Sequence, residues 1–85
     1  MSSYKDTQLR LLGLTIAYYR RLKGLSQIEL AEMVNCSRTH ISNLEAPNGK
    51  KSVSLSVLID ISEALHVPLK DLFDFRNIEE IQPRM

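Results

Sequence analysis

Apolar residues recur at helical spacing in five separate stretches of this chain. In the first, Leu9, Leu12, Ile16 and Tyr19 stand at i, i+3, i+7 and i+10, the mark of a helix with one buried stripe. It is expected to start between Ser3 and Thr7, capped by Ser3 or Asp6, and to run to Lys23. Leu11, Leu14 and Tyr18 fall off the stripe, so this helix is apolar over a wide arc. Gly13 interrupts it at about 1 kcal/mol relative to Ala, which points to a neighbouring helix packed close. Gly24 ends it as a left-handed residue.

Two short helices follow. Ser26 with Glu29 three residues on has capping-box spacing and starts the second helix at Gln27. Leu30, Ala31 and Val34 share its inner face. Ser37 caps a third helix from Arg38, with Ile41 and Leu44 inward. Asn35 stands where the chain must reverse, and Asn tolerates positive φ well. Cys36, a small hydrophobe, plugs the corner. The segment from Ala46 to Val53, with Pro47, Asn48 and Gly49 in series, is a loop.

Ser54 caps a fourth helix, Leu55 to Leu65, whose inward set is Leu55, Leu58, Ile61 (or Ser62) and Leu65; Ala64 permits close packing and His66 ends it. Pro68 at the first helical position opens a short fifth helix to Phe73, with Leu69, Leu72 and Phe73 turned inward. Leu72, Phe75, Ile78 and Ile81 continue the spacing into the tail. That tail extends the fifth helix, lies over the first, or meets a second subunit; Pro83 stops it. The pattern predicts an all-α protein and a single domain over residues 1–85.

Leu25 to Ala46 is therefore two helices meeting at a tight turn, with small Ala31 where they cross: a helix-turn-helix. The chain carries L-G-x-x-I-x-x-Y-R-x-x-K-G-L-S-Q-x-E-L-A, then S-x-x-x-I-S-x-L-E, then L-x-V-L-I-D-I-S-E-A-L-H-V-P-L-K-D-L-F. These three segments, in order and at these distances over about residues 9–75, resemble the XRE family of transcription regulators, the phage-repressor (Cro/cI-like) type. Asn35 stands where the family usually has Gly, and Cys36 where Val or Ile is usual. The resemblance implies a compact five-helix lambda-repressor-like domain that binds double-stranded DNA. It also implies an internal ion pair between Arg20 and Glu45, and a homodimer on a palindromic site. The expected dimer surface is the fifth helix and residues 76–85: Phe73, Phe75, Ile78 and Ile81.

Charge changes the picture by its placement, since the net charge is only +1. Residues 18–51 hold Arg20, Arg21, Lys23, Arg38, Lys50 and Lys51 against Glu29, Glu32 and Glu45. Residues 52–85 hold Lys70, Arg76 and Arg84 against Asp60, Glu63, Asp71, Asp74, Glu79 and Glu80. The basic excess coincides with the helix-turn-helix, where a patch can face phosphates.

With Ile41 and Leu44 inward, a turn of about 100° per residue points Thr39 and Asn43 outward, flanked by Ser42 and Arg38. Arg38, beside the cap Ser37, stands at the helix end that enters the major groove in this docking mode. It can bond guanine O6 and N7, Asn43 can bond adenine or a phosphate, and the Thr39 methyl can meet thymine. His40 lies to the side. Gln27 is placed to hold a phosphate and, by resemblance, to brace the next helix. Lys50, Lys51 and Arg21 are further phosphate candidates.

The remaining chemistry narrows the field. The chain has one Cys and two His, so neither an internal disulfide nor a metal cluster is expected, and no cofactor. No Gly-rich phosphate loop or nucleophile with an evident base argues for an enzyme. The polar start does not look like a signal peptide, and no apolar run is long enough for a membrane span. The expected setting is cytoplasmic. Repression by occlusion is the simplest mode for such a regulator. The rival class is a protein-binding module, an antitoxin or an adaptor, with a protein as its main partner.

Overall fold

The computed structural model describes residues 3–47 and 52–76. Every regular element among them is helical: α1 (Tyr4–Leu22), α2 (Gln27–Met33), α3 (Arg38–Glu45), α4 (Leu55–Leu65) and α5 (Leu69–Leu72). Each of the first four starts at a serine whose hydroxyl accepts the N–H of the third residue on. Ser3 takes Asp6, Ser26 takes Glu29, Ser37 takes His40 and Ser54 takes Val57, at 3.0–3.1 Å. In α2 the box closes in both directions, because the Ser26 N–H donates to Glu29 Oε1 at 2.8 Å.

Three helices also end alike. The residue after the last turn is left-handed, and two N–H groups reach back to carbonyls left open by the helix. At α1, Gly24 has φ +75°; its N–H donates to the Arg21 carbonyl and that of Leu25 to Arg20. At α2, Asn35 has φ 57°; the bonds run to Glu32 and, from Cys36, to Ala31. At α4, His66 has φ 58°; the bonds run to Glu63 and, from Val67, to Ser62.

The core is one cluster. Leu12, Ile16 and Tyr19 of α1 meet Leu30, Ala31 and Val34 of α2, Ile41 and Leu44 of α3, Leu58, Ile61 and Leu65 of α4, and Leu72 of α5. Leu11, Thr15 and Ala17 are buried as well, and Leu14 and Tyr18 half-buried, so α1 is covered over most of its circumference. Gly13 is where α1 meets α3: a Cβ there would lie 2.1 Å from the Leu44 carbonyl oxygen. Only glycine admits that approach.

Three expectations for the C-terminal half are corrected. Pro68 is the cap of α5, with extended backbone (φ −60°, ψ 146°), and not its first helical residue. The helix is a single α-helical turn, Leu69–Leu72, that ends before Phe73. Phe73 is the C-cap, its backbone at φ −105° and ψ 7° off α-helical values, and it is 49% exposed, not inward. Leu55 is 61% exposed. The inward stripe of α4 is Leu58, Ile61, Ser62 and Leu65, which leaves Leu55 and Ile59 on its flank. Phe73 and Asp74 leave α-helical backbone, so α5 does not run on through them. Ile78 and Ile81 lie outside the described residues, as do Lys50 and Lys51.

Candidate nucleic-acid interface

Helix α3 buries two of its apolar side chains completely, Ile41 at 0% and Leu44 at 3% exposure. Those two fix its rotation. Arg38, Thr39 and Asn43 are then exposed together with the cap Ser37, and His40 and Ser42 are half-buried at the margins. The outward face is thus a row of hydrogen-bonding side chains with one guanidinium at its N-terminal end.

Electrostatics set that end apart. A helix N-terminus carries a partial positive charge and is normally matched with an acid. Asp6 does this in α1, Glu29 in α2 and Asp71 in α5. Neither α3 nor α4 has an acid in its first turn, and α3 alone opens on a cation, Arg38. That choice disfavours the helix by itself and favours an anion bound at that end.

The opposite end of α3 is pinned. Arg20 Nε donates to Glu45 Oε2 at 2.7 Å, and Arg20 Nη2 to Glu45 Oε1 at 2.9 Å. Both residues are 7% exposed. Arg20 Nη1 donates to the Leu25 carbonyl at 2.7 Å, which ties down the turn between α1 and α2. Gln27 Nε2 donates to Glu45 Oε1 at 3.0 Å. A carboxylate on the last residue of a helix opposes the local dipole, and the Arg20 cation offsets that. One ion pair therefore joins α1, the turn, α2 and α3. In the sequence the Arg20–Glu45 pair rests on resemblance; the Leu25 carbonyl has no sequence signal at all, because any residue could supply it.

Other side chains stay apart from this face. Cys36 is half-buried against the core at the α2–α3 corner. Asp74 and Arg76 form an exposed pair that spacing does not reveal. Arg76 Nε and Nη2 donate to the Asp74 carboxylate at 2.9 and 2.6 Å, and its backbone N–H at 3.2 Å. Those side-chain bonds first, then the backbone one, hold the Asp74 carboxyl down at about 2.

A helix-turn-helix family model matches residues 16–72, about two-thirds of the chain. The chain belongs to the XRE family of helix-turn-helix transcription regulators. Its relatives carry one theme. It is 41% identical over 69 residues to the control protein C.BamHI of Bacillus amyloliquefaciens, covering 80% of this chain and 83% of that one. It is 31% identical over 72 residues to the control protein C.SmaI of Serratia marcescens, covering 85% and 83%. Among solved structures it resembles the restriction-modification controller protein C.AhdI of Aeromonas hydrophila. There the TM-score is 0.73 at 28% identity, over 79% of this chain and 98% of that one. It also resembles the clp gene regulator ClgR of Corynebacterium glutamicum, with TM-score 0.76 at 27% identity, over 87% and 77%. Family and fold make this chain a regulator that binds double-stranded DNA, and not an enzyme. No helix among the described residues is long and apolar enough to cross a membrane.

Proposed function

We propose that this protein controls a restriction-modification system from the cytoplasm, binding a palindromic operator as a homodimer with α3 in the major groove. One observation carries the docking mode: α3 spends Ile41 and Leu44 on the core and presents Arg38, Thr39 and Asn43 outward. In a groove about 12 Å wide, Arg38 reads guanine, Thr39 meets a thymine methyl, and Asn43 bonds adenine or a phosphate. Ser37, His40 and Ser42 line the margins of that contact. Gln27, Lys50 and Lys51 hold the flanking phosphates. The kind of gene controlled is supported by likeness to the control proteins C.BamHI, C.SmaI and C.AhdI.

The dimer is proposed to form through the C-terminal half. Its described candidates are exposed Phe73 and half-buried Phe75, with Leu55 and Ile59 as further exposed apolar side chains on α4; Ile78 and Ile81 are proposed to contribute and lie outside the described residues. Two such units would set their reading helices one DNA turn, about 34 Å, apart. Occlusion of a promoter is the proposed mode, and a reporter assay in which the protein raises transcription from a bound promoter would reverse that sign.

Selection from a random duplex pool, followed by affinity against salt, tests the whole reading. The expected result is a palindrome with half-sites about 10 bp apart and affinity that falls steeply with salt. The same sequence should lie upstream of a restriction endonuclease or methyltransferase gene. If no sequence is enriched and binding stays weak, α3 is not a reader, and a protein partner such as a toxin becomes the function to test.

A further inference from the structure

We infer that Glu45 is a positioning residue for DNA recognition: it fixes which edge of the Gln27 amide faces the nucleic acid. This rests on the DNA-binding reading above and goes one step beyond it. The Glu45 carboxylate accepts three bonds, from Arg20 Nε, Arg20 Nη2 and Gln27 Nε2. A carboxylate only accepts, so the Gln27 amide must turn its nitrogen toward it. A glutamine amide otherwise flips easily, its oxygen and nitrogen being nearly the same in shape. Here a flip would set two acceptors against each other. One Nε2 hydrogen is committed to Glu45, and the second is left on the half-exposed start of α2 as the donor for a phosphate oxygen.

Arg20 makes the arrangement compatible with DNA. An unpaired Glu45 carboxylate 3.0 Å from Gln27 would repel the phosphate that Gln27 is to hold. Paired with Arg20 on two edges, the carboxylate is neutralised and cannot rotate. The Arg20 guanidinium is itself held by the Leu25 carbonyl. A single buried cation thus orients a neutral side chain at the surface through one shared carboxylate.

The probe is the duplex enriched by random-pool selection, bound by the full chain. Gln27→Ala should weaken binding about ten-fold, the scale of one hydrogen bond to a charged group. Glu45→Gln, which keeps the shape but no longer dictates the amide orientation, should weaken it about as much. The double variant should lose no more than Gln27→Ala alone. A methylphosphonate at the phosphate beside Gln27 should erase the Gln27→Ala effect and leave that of Arg38→Ala intact. Losses that multiply in the double variant would overturn the inference and leave Glu45 purely structural. Should Glu45→Gln unfold, the wild-type protein still decides. In NMR of the Gln27 side-chain amide, one proton should lie well downfield of its position in an exposed glutamine, shifted by the carboxylate, and the other should move on DNA addition. Both protons at the shifts of an exposed glutamine would sink the idea. If Arg38→Ala weakens binding and Gln27→Ala does not, only this inference fails; if neither does, the DNA reading fails with it.

Discussion

Helices α3 and α4 each bury one stripe in the same core and differ in what they leave outside. Outside α3 stand Arg38, Thr39 and Asn43; on the flank of α4 stand Leu55 and Ile59. Water hydrates the first set at no penalty, so an unoccupied α3 face is stable and ready for a polyanion. Apolar area left in water forgoes about 25 cal/mol per Å², so the α4 flank favours being covered. The two helices are also anchored differently. Glu45 locks α3 through a buried charge pair, whereas α4 is held by apolar packing and a left-handed cap. Under the docking and dimer proposed above, the difference separates two tasks: a polar reader on α3 and an adhesive flank on α4.

The largest way to break this contrast is Glu45→Ala. It leaves the Arg20 cation buried without its partner and should lower unfolding free energy by about 3–5 kcal/mol, measured by urea denaturation. On the other side, Ile59→Ser should leave the stability of the monomer within about 0.5 kcal/mol. It should weaken self-association by about 1.5–3 kcal/mol per side chain, seen in sedimentation as a shift toward monomer. A dimer unaffected by Ile59→Ser would place the adhesive face elsewhere.

Arg38 sharpens the contrast because its two roles have opposite signs. Arg38→Ala should reduce operator affinity by about 1–3 kcal/mol and relax preference at one base pair per half-site. Arg38→Glu should reduce affinity further, yet raise fold stability by about 0.3–1 kcal/mol by matching the helix N-terminus. Thermal melting and DNA titration of the same sample would show both. A smaller effect is expected at His66. Removing a left-handed side chain relieves about 1–2 kcal/mol, offset by about 0.5–1 kcal/mol of extra chain entropy for glycine. His66→Gly should therefore stabilise by about 1 kcal/mol or less in a chemical melt.

The smallest effect lies at the exposed pair. Asp74 has its carboxyl pulled down to about 2, chiefly by the Arg76 side chain. Its contribution is present above the ordinary carboxylate range and is lost only as pH falls through about 2. Carbon NMR should find the midpoint there, and with both groups in solvent the stability of the chain should scarcely follow it.

Most of this architecture is legible in the sequence because local rules and global packing agree. Serines at 3, 26, 37 and 54 mark four helix starts, and Gly24, Asn35 and His66 mark three ends. The inner faces of α2 and α3 follow from spacing alone. Sequence reading fails where the period runs out. An α-helical period puts Phe73 inward, but Phe73 is the C-cap and has already left helical backbone, so the period no longer places its side chain. Leu55 matches the period of α4, but it lies at the helix start, on the flank that the core does not reach. Within the site, the outward set on α3 follows once Ile41 and Leu44 are assigned inward. The Gln27–Glu45 bond spans 18 residues between two polar side chains, and no periodicity encodes it.

Gly13 has a consequence for how such proteins diversify. Its α-carbon lies against the carbonyl of Leu44, backbone against backbone, so at this crossing the separation of α1 and α3 is set by the main chain and not by a side chain. Core residues can be exchanged for others of similar volume without changing how deeply α3 projects. Under the proposed docking, new sequence preference can then be written on the outward residues Arg38, Thr39 and Asn43. The outward residues of one such protein should be transplantable onto another that keeps the glycine, carrying their preference with them.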